Sequence, residues 1–184
     1  MGGYPGVTEL SEQTVLRYNR TARALHWAAA ALILANLASG FAKDPLEGTW
    51  NVVPLHKSIG LTVLILGIVR LVWRLTHPAP PLPDTMPAWQ VALAKVVHAV
   101  FYVLIIAVPL TGWVMSSASK YPLSWFGLIT WHKFAVTKES AAYAVAHEGH
   151  ELLGFAFAAL VLVHVAAALY HHSVVRDHLL NRMA

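Results

Sequence analysis

The sequence predicts an all-α membrane protein in which four transmembrane helices form one bundle. Composition is the first observation, because 57% of the 184 residues are hydrophobic and only 12% are charged, which is too apolar for an ordinary soluble domain. The second is that four apolar stretches reach or exceed the roughly 20 residues needed to cross a bilayer. They cover roughly residues 22–41, 54–75, 89–116 and 143–172. The segments between them are short, so we expect one membrane domain over residues 17–184.

The start of the chain combines a polar segment with the first apolar stretch. Residues 1–16 carry two glycines and a Pro-Gly pair, which predict a flexible cytoplasmic tail. Thr21 is the predicted N-cap of the first helix, because its hydroxyl can accept a backbone hydrogen bond. Residues 17–42 also resemble a secretory signal peptide. Their apolar run is as long as a full span, so we predict a retained helix.

Proline and aromatic residues mark the other elements. Pro54 suits the first turn of the second helix, and the segment after that helix, HPAPPLPDTMP, is stiffened by its prolines. Pro109 is expected to kink the third helix. The connection over roughly residues 117–142 is rich in aromatic side chains, which predict a loop at the membrane interface or a cap over the outer end of the bundle.

The basic residues predict the orientation of the bundle. Every arginine lies at the end that would carry both termini, as do eight of the thirteen basic residues. The positive-inside rule therefore places both termini in the cytoplasm. The net charge of +4 then reflects topology and anionic lipid, and we expect no nucleic-acid partner.

Histidines within the apolar stretches are the main functional signal. His150 and His164 lie fourteen residues apart on the fourth helix, so both rings leave nearly the same face, about 21 Å apart along the axis. His26 and His56 lie near the starts of the first and second helices. Because successive helices alternate in direction, His26 matches His164 in depth near the cytoplasm, and His56 matches His150 near the outer face. Ionisable side chains at such depths are costly and usually functional.

Two facing histidine pairs at two depths suit two six-coordinate haems, since haem iron in electron-transfer sites takes two strong axial ligands. The absence of cysteine excludes iron–sulfur clusters and the covalent attachment of a c-type haem, so both groups would be non-covalent. Two alternatives are open. Each histidine could merely hydrogen-bond between helices, or a histidine pair could belong to a zinc site, although zinc needs three or four converging ligands.

Other residues have alternative roles. His98, in the inner part of the third helix, could replace His26 or His164 as a ligand, hydrogen-bond near the inner haem, or line a quinone pocket. Four glycines would let helices, or a flat macrocycle, approach closely: Gly60, Gly67, Gly112 and Gly154. Three arginines could pair with haem propionates or simply mark topology: Arg23, Arg70 and Arg74.

The chain resembles the bacterial cytochrome b561 family over residues 17–183. The resemblance is carried, in order, by the segments RYNRTARALHW, PLHKSIG, RLVWRLTHPAPP, KVVHAVFYVLIIAVPLTGW and GHELLGFAFAALVLVHVAAALYHH. It implies a protein of the bacterial inner membrane that holds two haems b and passes electrons between a periplasmic donor and ubiquinone. It maps the four ligands of the haem irons onto His26, His56, His150 and His164. Members of this size resemble superoxide oxidases, which oxidise superoxide to oxygen and reduce ubiquinone to ubiquinol.

The resemblance suggests further site residues. Lys57 and Lys133 are candidates for steering superoxide, although the outer side carries as many carboxylates as lysines. A quinone pocket near the cytoplasm would draw on five residues: Arg20, Thr21, His98, His171 and His172. His171 and His172 could equally be interfacial anchors. No catalytic acid, base or nucleophile is expected for the oxidation of superoxide, because outer-sphere electron transfer needs none.

Two other functions are open. The first is a dihaem anchor subunit that passes electrons between a periplasmic dehydrogenase, such as a hydrogenase, and the quinone pool. A co-purifying soluble partner would favour it. The second is a non-redox membrane protein, such as a metal carrier. The absence of acidic residues in the middle of the spans argues against it.

Overall fold

The computed structural model describes residues 17–43, 49–82, 86–177 and 179–184. Its long helices are α1 (Arg20–Ala42), α2 (Val53–Thr76), α3 (Ala88–Ser117) and α4 (Ala141–Tyr170). All four are long and apolar enough to cross a membrane, so the predicted transmembrane four-helix bundle is confirmed. The predicted tail over residues 1–16 lies outside the described residues.

The starts of α1 and α2 follow from their capping residues. Asn19 is extended, and its side-chain oxygen accepts a hydrogen bond from the amide of Ala22 at 2.8 Å. The prediction of Thr21 as the N-cap was therefore wrong, because Asn19 holds that position and Thr21 lies within the first turn. Pro54 occupies the first turn of α2 as predicted, where its missing N–H removes no helical hydrogen bond.

The helices pack as two hairpins, α1 with α2 and α3 with α4, and the hairpins meet along α2 and α3. The buried core between them is small and apolar: Ala29, Ile33, Ile59, Val63, Leu104, Ile105 and Phe157. Many other large apolar side chains face outward, as in Leu75 and Leu162. Such outward exposure is expected where lipid surrounds the helices.

Gly67 allows α2 to approach α3, since a Cβ at this position would lie 2.2 Å from Cγ2 of Ile105. We expect Gly67→Ala to lower the thermal unfolding midpoint in detergent, with an overpacking cost of about 1–3 kcal/mol. Gly149→Ala is the control, because its Cβ would meet only Cγ2 of Thr111, at 3.8 Å. An unfolding midpoint for Gly67→Ala at or above that of the unaltered protein would contradict this packing.

A short antiparallel β-hairpin lies in the connection between α3 and α4 of the all-α bundle. It consists of β1 (Leu123–Trp125) and β2 (Ile129–Trp131), joined by a turn in which Phe126 and Gly127 have positive φ angles of 48° and 74°. Glycine adopts such angles without strain. This segment falls in the aromatic connection that the sequence predicts as an interfacial loop or a cap.

The hairpin is fastened to α2 by hydroxyl groups. The amide of Phe126 donates a hydrogen bond to Oγ of Ser58, and the indole of Trp125 donates one to Oγ1 of Thr62, both at 3.0 Å. Leu123, the first residue of β1, is almost fully buried. The segment is therefore a cap docked on the end of the bundle, and several of its other aromatic side chains are exposed.

The C-terminal residues fold back onto the opposite end. After α4 come a π-helical turn (His171–Val175) and a 3₁₀ turn (Leu180–Arg182). The buried guanidinium of Arg182 donates to the carbonyl oxygens of Pro80 and of the next proline, both at 2.8 Å. The amide of Tyr18 donates to the carbonyl of Arg182 at 3.1 Å. These bonds hold both described ends of the chain and the proline-rich segment together.

Candidate functional site

Histidine rings meet at both ends of the bundle. Near the hairpin, the ring centroids of His56 on α2 and His150 on α4 lie 6.1 Å apart, with their planes at 90°. At the opposite end, the centroids of His26 on α1 and His164 on α4 lie 6.4 Å apart, with their planes at 72°. We call these the outer pair and the inner pair. They are the combinations that depth matching predicts from the sequence.

Both separations suit a metal ion between two imidazoles. A metal–nitrogen bond of about 2 Å on each side, with each centroid about 1 Å behind its nitrogen, places the centroids about 6 Å apart. In the described parts of the chain, no three or more His, Cys, Asp or Glu side chains form a group that could hold a metal ion. The arrangement therefore provides two-ligand sites, as six-coordinate haem iron requires, rather than a three-ligand zinc site.

Each ring of the outer pair has one nitrogen already engaged. Nδ1 of His56 donates to the backbone carbonyl of Asn36, and Nδ1 of His150 donates to that of Val108, both at 3.0 Å. Because a carbonyl can only accept, each ring carries its proton on Nδ1 and keeps a free electron pair on Nε2. No group among the described residues hydrogen-bonds to either Nε2. Metal-ligating histidines are held in this way.

A cavity of about 330 Å³ adjoins the outer pair. All four helices and Leu123 of the hairpin contribute to its wall, which is mostly apolar. Gly154 faces open space, since a Cβ built there meets no atom within 4 Å. The volume lies within the range of cofactor sites, about 300–1,000 Å³. An apolar cavity flanked by two imidazoles with free Nε2 atoms fits a macrocyclic cofactor better than a hydrated ion.

The inner pair has a different environment. Arg70 lies within α2, and its guanidinium donates to Nδ1 of His26 at 2.9 Å. A guanidinium has no acceptor, so in this geometry the neutral ring of His26 carries its proton on Nε2. Arg70 also lies 5.8 Å from the ring centroid of Tyr102, and no carboxylate of the described residues pairs with it. A partly buried cation without a counter-ion suits a cofactor that bears carboxylates.

His98 reaches the same partner as His26 does. Its ring centroid lies 6.3 Å from that of His164, compared with 6.4 Å for His26. Phe101 also packs against the ring of His164, with centroids 5.1 Å apart. Ring separation alone therefore does not distinguish His26 from His98 as the partner of His164.

Sequence reasoning missed the partner of His171. Nδ1 of His171 lies 2.5 Å from Oδ2 of Asp177, because the π-helical turn and a left-handed residue, Arg176, bring the chain back on itself. Such π-helical turns occur often at functional sites. Arg20 and Thr21, two other residues predicted for this pocket, are exposed in the first turn of α1, and no hydrogen bond joins them to His171 in the described structure.

The two lysines predicted to steer superoxide have different settings. Lys57 lines the outer cavity together with Lys43 and Glu151. Lys133 follows the hairpin, and its ammonium group donates to two carbonyls of the preceding segment, including that of Tyr121 at 3.2 Å. Lys57 is therefore placed to act on a ligand of the cavity, whereas Lys133 fastens the cap.

Comparison with known proteins accords with this geometry. The model of the prokaryotic cytochrome b561 family matches residues 17–184. This chain belongs to the prokaryotic cytochrome b561 family. It is a multi-pass bacterial membrane cytochrome of the haem b type, and it transfers electrons.

Several relatives are similar to this cytochrome over nearly their whole length. It is 32% identical to cytochrome b561 homolog 2 of Escherichia coli (strain K12), over 91% of this chain and 90% of that protein. It is 31% identical to the probable superoxide oxidase CybB of Yersinia pestis, over 86% and 90%. It is also 31% identical to cytochrome b562 of Cereibacter sphaeroides, over 90% and 94%.

Proposed function

We propose that this cytochrome holds two haems b without covalent attachment, through the inner pair His26–His164 and the outer pair His56–His150. Bound haem supplies one-electron chemistry, because its iron alternates between the ferric and ferrous states. The proposal depends chiefly on the two ring pairs, each from separate helices and each with a separation suited to one metal ion. The ligands on α4 are about 21 Å apart along its axis, so the two sites would form an electron path across most of the membrane.

For the inner site we favour His26 over His98. The likeness to the cytochrome b561 family in the segment RYNRTARALHW supports His26, which is the histidine of that segment. Arg70 supports it too, since a cofactor carboxylate would find a cation beside this ring. When Arg70 turns to a carboxylate, Nδ1 of His26 loses its donor and the ring is free to take the other tautomer.

We propose that the electrons pass from periplasmic superoxide to ubiquinone. Two superoxide anions each give up one electron and leave as oxygen, and one ubiquinone takes both electrons and two protons to become ubiquinol. The likeness to the probable superoxide oxidase of Yersinia pestis supports this donor. The arginines at the end that carries both termini favour a cytoplasmic location for that end in the bacterial inner membrane, which puts the outer cavity on the periplasmic side.

One assay tests this function. Superoxide is supplied to the purified cytochrome with and without a short-chain ubiquinone analogue. We expect superoxide to reduce the haem, and the quinone to reoxidise it with two superoxide anions consumed per quinol formed. Haem that superoxide does not reduce, together with a large soluble periplasmic protein that co-purifies, would contradict this function and favour the anchor subunit of a dehydrogenase.

Lys57→Glu should slow the reduction of the haem by superoxide about tenfold at low salt, because it reverses a charge at the outer cavity. Stopped-flow spectroscopy measures this rate, and the difference from the unaltered protein should shrink at high ionic strength. Lys138→Glu, at an exposed site between β2 and α4, is the control. Equal low-salt rates for Lys57→Glu and the unaltered protein would contradict capture of superoxide through this cavity.

His171→Ala should slow ubiquinone reduction about tenfold or more while leaving the haem spectrum unchanged. The reason is that His171, paired with Asp177, would donate a proton to a quinone reduced near the inner pair. His77→Ala is the control, since that ring is exposed directly after α2, at the same end of the molecule. A normal quinone turnover in His171→Ala would rule out an inner pocket built on this residue.

A further inference from the structure

The same five-residue arrangement occurs twice, on α1 and on α3. Residues 36–40 read NLASG and residues 108–112 read VPLTG, so each ends in a hydroxyl residue followed by glycine. The first arrangement lies against α2, which carries His56, and the second lies against α4, which carries His150. We call residues 36–40 and 108–112 the outer clamps.

The hydroxyl of each clamp adds a second acceptor to the histidine. Oγ of Ser39 donates to the carbonyl oxygen of Asn36 at 2.8 Å and lies 3.1 Å from Nδ1 of His56. On α3, Oγ1 of Thr111 donates to the carbonyl oxygen of its own clamp's first residue at 2.8 Å and lies 3.2 Å from Nδ1 of His150. Since the hydroxyl proton is used on the carbonyl, the hydroxyl oxygen can accept from the ring N–H. Each Nδ1–H is therefore shared between two oxygen atoms.

The glycine of each clamp leaves the room that the ring occupies. A Cβ on Gly40 would lie 3.1 Å from Cε1 of His56, and a Cβ on Gly112 would lie 2.9 Å from Cε1 of His150. Any side chain at Gly112 would thus force the ring of His150 to move, and one at Gly40 would crowd the ring of His56. Two oxygen acceptors, together with the space left by a glycine, hold each imidazole in place.

The inner histidines are not held in this way. Nδ1 of His26 faces the guanidinium of Arg70, and the rings of His98 and His164 have no hydrogen-bond partner among the described residues. The outer clamps are therefore not a general consequence of burying histidine in an apolar helix. They distinguish the outer pair from the inner one.

We propose that the outer clamps are positioning sites that fix the tautomer and the rotation of His56 and His150, so that both Nε2 atoms are presented to one cofactor iron. This inference rests on the proposed function, because it concerns the axial ligands of the outer haem. The angle of 90° between the two ring planes is the quantity that the clamps set. The pairing of Nδ1 with carbonyl and hydroxyl oxygens also sets how strongly each ring donates to the iron.

Removing one hydroxyl at a time tests the inference on the haem-loaded protein. Ser39→Ala and Thr111→Val each delete an acceptor, whereas Ser39→Thr and Thr111→Ser retain one. The measurements are the electron paramagnetic resonance spectrum of the oxidised protein, whose g-value spread depends on the angle between imidazole planes, and the midpoint potentials. We expect each deletion to shift the g-values and the potential of one haem and to leave the other haem unchanged. The two conservative variants should keep the values of the unaltered protein.

Gly112→Ala is the stronger perturbation, because its Cβ would overlap the ring of His150. We expect the haem content to fall from two per chain to one. Gly149→Ala, one residue before that histidine, meets only an ordinary contact and should retain both haems. If Gly112→Ala yields no folded protein, the hydroxyl variants decide the question.

The outcomes separate this inference from the function on which it rests. Suppose that the unaltered protein binds two haems, and that the deletion and glycine variants all keep its g-values, potentials and haem content. The positioning role of the outer clamps is then overturned, and the proposed function stands. If the unaltered protein binds no haem, the proposed function itself is overturned.

Discussion

Replacing His150 with alanine should remove one of two haems and reduce superoxide-dependent ubiquinone reduction to the uncatalysed background. His150 contributes one of the two imidazoles of the outer pair, with Nδ1 engaged and Nε2 free. Without it, the outer pair would keep only the imidazole of His56, and most of the cavity wall is apolar. The haem-to-protein ratio and the superoxide assay measure the two effects.

His132→Ala is the control for this experiment. His132 is exposed at the same end of the molecule, and only its backbone carbonyl is used, as the acceptor for the indole of Trp113 at 2.9 Å. The variant should keep both haems and the full rate. A His150→Ala protein with two haems and normal turnover would contradict the assignment of the outer pair.

Replacing His164 with alanine should remove the other haem, because both candidate partners at the inner end face this one ring. His26→Ala should have the same effect, whereas His98→Ala should keep two haems per chain. The reason is that His26 belongs to the segment that carries the family likeness and lies beside Arg70, a cation that pairs with no carboxylate of the described residues. The absorbance spectra of the reduced proteins and their haem content distinguish the three variants.

The outcome at His98 decides the inner ligand. If His98→Ala binds one haem and His26→Ala binds two, the ligands of the inner haem would be His98 and His164. The outer pair would be unaffected by that change, because no atom of His98 lines the outer cavity.

The membrane bundle could be predicted because its signals lie in the sequence itself. Apolar runs of sufficient length identify the four helices, and alternating helix directions fix the depth of each histidine. Those two facts are enough to pair His26 with His164 and His56 with His150 from the sequence. The rings of each pair do lie together in the structure.

Rotation about the helix axes is what the sequence could not supply. His98 has nearly the same separation from His164 as His26 does, because the packing of α3 against α4 turns it toward the same ring. Depth arguments carry no information about that rotation. The sequence therefore does not decide whether His26 or His98 is the partner of His164.

Which backbone carbonyls accept hydrogen bonds from the rings could not be predicted either. The carbonyls of Asn36 and Val108 hold the outer rings, and a backbone carbonyl has no signature in the amino-acid sequence. The hydroxyl and the glycine of each outer clamp do have a signature in the sequence, namely a serine or threonine followed by glycine on the neighbouring helix. Thr21 was predicted as a cap from its residue type, although the better-placed Asn19 stands two residues earlier.

The hairpin between α3 and α4 was missed for a related reason. Its docking depends on Ser58 and Thr62, two hydroxyls within an apolar helix that look like ordinary helix residues. Only the fold brings them under Trp125 and Phe126. The aromatic composition of the segment indicated an interfacial loop or a cap but not a pair of strands.

The haem content of the purified protein tests the central claim most directly. The pyridine haemochrome absorbance, divided by the protein concentration from amino-acid analysis, gives the number of haems b per chain. We expect two, with both lost when His150 and His164 are replaced together. A colourless protein, or one that keeps its full pigment after this double replacement, would contradict the account.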